Sequence, residues 1–173
     1  MIRQQPAKTI LLPANPVFIA GTLFAAFLLN LQPWGRTVGV PDFVALCLVF
    51  WGIHQPRRVG MGVAFFMGIL MDVNDATILG EHALAYTVLS YLAITIHRRV
   101  LWFPLRKQIL LVLPFLLLAQ VIQMLVQFVI NGRYASWMHL LDGGVAALLW
   151  PLLTIVLLAP QRRAIEKDLD RPL

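Results

Sequence analysis

Six apolar runs, parted by polar stretches too short to hold a folded domain, constrain this chain of 173 residues more than any other feature. They cover roughly residues 13–32, 42–54, 58–73, 82–97, 109–130 and 143–159. A helix needs about 20 apolar residues to cross roughly 30 Å of hydrocarbon, and outside closed barrels only a helix satisfies its own backbone there. The second, third and fourth runs are short for this, which packing against neighbours or local thinning of the bilayer accommodates. Composition agrees: 60% of residues are hydrophobic and 13% charged, against roughly 45–50% and about 25% in soluble domains. The pattern predicts an all-α integral membrane protein with six transmembrane helices, a single membrane domain over 1–173, and a cytoplasmic tail over 160–173.

A formal charge of +6 would suggest nucleic acid in a soluble protein. Here its placement reads as topology, because Lys and Arg accumulate in short cytoplasmic loops. With the N-terminus inside, twelve basic residues fall inside, from Arg3 and Lys8 through Arg57, Arg58, Arg98, Arg99, Arg106 and Lys107 to Arg162, Arg163, Lys167 and Arg171. Only Arg36 and Arg133 fall outside. A missed or invented span would scramble this alternation, so both termini are expected inside. The first run resembles a signal peptide, but no small-x-small cleavage site follows AFLLNLQPW, and it is expected to stay as a helix. The stretch HRRVLWFPLRK (97–107) is expected as a basic cytoplasmic loop, meeting either lipid headgroups or a protein.

No Lys, Arg, Asp, Glu or His lies near the centre of a run. Ion channels, proton pumps and voltage sensors need such groups. What the runs do carry is packing chemistry. Gly60, Ala64, Gly68 and Asp72 recur every four residues on one face of the third run, where small side chains let another helix approach closely. Gly62 adds to that surface, and Gly21 with Ala25 repeats the spacing on the first run. Gln120, Gln123 and Gln127 form a polar stripe on the fifth, open to an internal contact, a partner's helix or a cavity. Pro114 and Pro151 lie inside the fifth and sixth runs and are expected to bend them. Cys47, the single cysteine, rules out an internal disulfide and reads as a buried small hydrophobe.

The segment GILMDVNDATILGEH (68–82) gathers Asp72, Asp75, Glu81 and His82. Their spacing matches neither a HExxH helix nor a calcium-binding loop, so no metal and no cofactor is expected. Asn74 and Asp75 favour a turn, Gly80 a left-handed backbone, and Glu81 a helix start. Asp42 and Asp142 read as N-caps of the second and sixth helices. Asp72 differs, because it closes the small-residue face.

These elements in this order resemble the MreD family of rod shape-determining proteins. The likeness rests on Pro41-Asp42, the Pro56-Arg57-Arg58 turn, Gly60-x-Gly62, Gly68 with Asp72, Leu79-Gly80 and Trp150-Pro151. It covers most of residues 15–160 and is least distinctive in the fifth run. It implies a non-enzymatic subunit of the bacterial elongation machinery in the inner membrane. Its direct partner would be MreC, and through it the MreB filament, a SEDS glycosyltransferase and a class-B transpeptidase that build lateral-wall peptidoglycan. The implied arrangement is similar to the S components of energy-coupling-factor transporters. On this reading Gly60, Ala64, Gly68 and Asp72 serve tight helix association, and Arg57, Arg58, Arg98 and Arg99 serve orientation and cytoplasmic contact.

The rival from another class is a substrate-binding subunit of a vitamin-type transporter. Its outward pocket would use Asn30, Gln32, Asp72, Asn74 and Gln120, although the first run has only Gly21-xxx-Ala25 where a coupling helix would carry A-x-x-x-A. A membrane-embedded enzyme lacks both a buried acid-base pair and an activated nucleophile.

Overall fold

A computed structural model describes residues 14–32, 39–132 and 136–169, with side chains through Gln161. The regular structure in these residues is helical: α1 (Pro16–Asn30), α2 (Phe43–His54), α3 (Met61–Asn74), α4 (Glu81–Trp102), α5 (Leu105–Asn131), a 3-10 turn (Trp137–His139) and α6 (Leu140–Leu169). Each of the six apolar runs therefore falls on one helix, and several helices extend past their runs. Two segments, Leu105–Asn131 and Trp137–Gln161, are long and apolar enough to cross a membrane alone. Arg3, Lys8, Arg36, Arg133 and Arg171, used in the charge count, lie outside the described residues.

Local chemistry sets the helix starts. Asn15 accepts from Val17 N at 2.9 Å with Pro16 in the first turn, and Asp42 accepts from Ala45 N at 2.9 Å. Both satisfy backbone donors that the first turn leaves unpaired. Asp142 is a correction: α6 starts at Leu140, so Asp142 sits inside the first turn, and its Oδ1 accepts from Gly39 N instead. A second correction concerns 97–107, expected as a basic loop. Helix runs through Arg98 and Arg99 to Trp102 and resumes at Leu105, leaving only Phe103 and Pro104 between. Charge ends an apolar pattern without ending a helix. The stop is Pro104, which forces the residue before it into extended backbone, and Phe103 has ψ 147°. Likewise α6 continues into the expected tail as far as Leu169.

The central helices are α2 and α4. α4 packs against α2, α3 and α5, while α2 also meets α1 and α6. This accounts for α2, whose 12 residues span only about 18 Å at 1.5 Å per residue. Every residue from Val44 to Ile53 is buried, so neighbouring helices surround it. Gly52 allows the α2–α4 crossing, since a Cβ there would lie 3.1 Å from Ala93 Cβ. Trp51 donates from Nε1 to Thr22 Oγ1 at 2.9 Å and Trp150 to Gln108 Oε1 at 3.0 Å, so both buried indoles are satisfied. Phe50 lies between them, with ring centroids 5.0 and 6.1 Å away. Pro114 and Pro151 both lie inside helices that continue through them, as does Pro160.

Outward faces are apolar. Phe24 of α1, Phe66 of α3, Leu110 and Val129 of α5, and Leu148 and Leu152 of α6 are all exposed.

Candidate functional site

The Gly-Ala-Gly-Asp face of α3 turns towards α4. A Cβ on Gly68 would lie 2.3 Å from Ala83 Cα and 2.5 Å from Ala83 N, so the two backbones touch there. Ala64 and Asp72 are buried on the same stripe. Gly60 does not join it, because it lies just before α3 and nothing comes within 4 Å of where its Cβ would be. Gly62 is equally open. From Ala64 to Asp72 the small-residue face is thus occupied within the chain.

One turn beyond Gly68, Asp72 is 1% exposed. Its Oδ1 accepts from His82 N at 2.7 Å, His82 Nδ1 at 2.9 Å and Thr77 Oγ1 at 3.4 Å. Its Oδ2 accepts from Gly80 N at 2.8 Å and Ala83 N at 3.4 Å. The N-cap of α4 is Gly80, at φ 105° with no side chain to cap with. Asp72 supplies that function from the preceding helix, and its charge faces the positive end of α4. His82 Nε2 lies 3.8 Å from Asp75 Oδ2, which ties the turn to the same ring. Asp72, Asp75 and His82 are therefore one cluster, closer-knit than separate loop and cap residues would be. Partial burial raises the Asp75 carboxyl above its ordinary range, against the pull of His82.

Glu81 points elsewhere. It is 2% exposed, accepts from Gln127 Nε2 at 2.7 Å through Oε1, and leaves Oε2 without a partner. Burial raises its carboxyl above the usual range, opposed by the Gln127 bond. The glutamines consequently do not act as one stripe. Gln127 reaches α4, while Gln120 Oε1 lies 2.7 Å from where a Cβ of Gly143 on α6 would be, buried and unpaired. Gln123 is half-buried between them.

A further knot ties α1, α2 and α4. Asn30 Nδ2 donates to Asp42 Oδ1 at 2.9 Å, Phe43 N donates to Asn30 Oδ1 at 3.1 Å, and the buried Tyr86 hydroxyl donates to Asp42 Oδ2. Sequence reasoning found Asp42 as a cap and missed its reach to Tyr86. It also missed Gln108, which holds Trp150. Tyr86, the first of two tyrosines in α4, and a Gln just inside α5 were the available signals.

These contacts gather Asp42, Asp72, Asp75, Glu81 and Asp142 at one end of the bundle. Arg57, Arg58, Arg98 and Arg99 are exposed, on the connections and helix end opposite. Arg58 Nη1 donates to the Ala14 carbonyl at 2.7 Å. Of the residues a transport pocket would use, Asn30 and Asp72 are engaged inside the protein, Asn74 bonds to Asp75, Gln120 faces α6, and Gln32 is exposed. Among the described residues, no three His, Cys, Asp or Glu side chains are placed to hold a metal ion.

Fold and site together define an all-helical bundle whose polar side chains are spent on holding its own helix ends and whose outer faces are apolar. The family profile of rod shape-determining protein MreD matches residues 14–159, and the chain belongs to that family. It is 28% identical over 144 residues to rod shape-determining protein MreD of Haemophilus influenzae, covering 80% of this chain and 86% of that protein. Membership carries a role in rod-shape determination. No solved structure matches the chain.

Proposed function

We propose that this protein is a six-span subunit of the bacterial inner membrane, with both termini inside. It acts without catalysis as a scaffold for cell elongation: it binds MreC, and through MreC it links the MreB filament to the SEDS glycosyltransferase and class-B transpeptidase of the lateral wall. The observation that carries this reading is the family match across 14–159. The apolar outer faces and the twelve-to-two distribution of basic residues support it.

Because Asp72 is surrounded by donors and Gly68 is covered by α4, the α3 stripe serves the scaffold's own rigidity. MreC then docks on an exposed apolar face. The first helix offers one, where Gly21 and Ala25 are exposed and Gly21 has open space beyond it.

Expression of the chain in rod-shaped cells depleted of their own MreD tests the reading through cell width. Restored rods are expected. Round cells despite normal membrane insertion would overturn it.

A further inference from the structure

We propose that the groove between α1 and the start of α3 is a binding site for one anionic phospholipid of the cytoplasmic leaflet, with an acyl chain in the groove and the phosphate at Arg58. The groove encloses about 470 Å³, within the roughly 300–1,000 Å³ of small-ligand sites. Its walls are Ile19, Ala20 and Leu23 of α1 with Val59 and Val63 opposite. Apart from Arg58 these side chains are apolar, and they offer a hydrocarbon chain contact without a polar group to desolvate.

Arg58 lines the end near the α1 N-terminus, where its Nη1 holds the Ala14 carbonyl. A guanidinium carries five N–H donors in a planar fork suited to phosphate, so one backbone bond leaves most of them free. No carboxylate pairs with Arg58 among the described residues. The acids whose side chains are described are all gathered at the opposite end of the bundle, and Arg57 adds a second exposed cation beside it. An unpaired fork at the end of an apolar slot complements an anionic headgroup joined to a chain. A guanidinium with free donors at the groove end suits a phosphate headgroup better than a partner's apolar span, which favours lipid. The placement in the cytoplasmic leaflet rests on the N-inside reading above; lipid retention in detergent does not depend on orientation, so the two fail separately.

Native mass spectrometry of the full-length protein in detergent tests this, with phosphatidylglycerol and phosphatidylethanolamine titrated separately. The wild type is expected to retain one phosphatidylglycerol, with about fivefold preference over phosphatidylethanolamine, the size of one basic contact to an anionic lipid. Arg58→Gln should remove the preference, while Arg106→Gln, at an exposed site outside the groove, should keep it. Ala20→Trp, at an exposed wall position, should fill the slot and abolish the single-lipid adduct. Equal retention of the two lipids overturns the proposal, as does equal loss in Arg106→Gln. A lipid adduct unchanged by Ala20→Trp also overturns it, and together with lost recovery of a partner protein would assign the groove to a helix.

Discussion

Asp72 caps a helix that is not its own, accepting from the backbone and the ring of His82 at 2.7 and 2.9 Å. The cap position of α4 is a glycine, so this carboxylate serves the donors that Gly80 cannot.

Asp72→Ala leaves the half-buried Gly80 and His82 amides without their acceptor. Loss of a cap costs about 0.5–2 kcal/mol, and an unsatisfied buried donor about 1–3. Both figures describe the same lost bonds, so a loss of about 1–3 kcal/mol is expected from thermal unfolding in detergent. Asp75→Ala, at an exposed turn position, should stay within about 0.5 kcal/mol. Rod-shape complementation should rank the two in the same order, and equal behaviour would show that Asp72 is no cap.

Gly68→Ala drives a methyl into the Ala83 backbone at 2.3 Å, and backbone cannot rotate aside as a side chain can. A loss of about 1–3 kcal/mol or more is expected, with Gly68→Leu failing to accumulate as folded protein. Gly60→Ala meets open space and should be near neutral. Matched melting temperatures for the two alanine variants would refute the α3–α4 contact.

Glu81 makes stability depend on pH. Its folded carboxyl is raised by burial, so the ionised form disfavours the fold. The associated stability is full below the unfolded value of about 4.3 and is lost as pH rises through the higher folded value. Glu81→Gln should flatten this decline and raise the melting temperature at neutral pH. A steeper decline in the variant would reverse the sign of the argument.

Topology is open to cysteine labelling in a Cys47→Ser background. With an impermeant maleimide on intact spheroplasts, Asp75→Cys should react and Arg57→Cys should react only after permeabilisation. The opposite pattern would invert the bundle.

Much of the fold was legible because its signals are local. Asp42 marks the start of α2 because its cap acts on a residue three positions on, and Gly80 marks the start of α4 because a left-handed backbone suits glycine. Helix ends were harder: hydropathy stops at His97, but the chain stays helical until Pro104 breaks it. Tertiary choices left no local mark. Spacing revealed that Gly68 permits a close approach, yet nothing near it named Ala83 as the neighbour. Gln120 and Gln127 share a sequence stripe and still meet different helices, because seven positions at about 1.5 Å each set them about 10 Å apart along α5, where different neighbours lie alongside.

Recovery of MreC with the full-length tagged protein from detergent-solubilised membranes tests the scaffold role most directly. MreC is expected to co-purify at near-stoichiometric yield and to be retained in Asp75→Ala, with Gly21→Trp on the open face of α1 reducing recovery about tenfold at unchanged protein level. Absence of MreC from the wild-type preparation, with the protein folded and inserted, would contradict it.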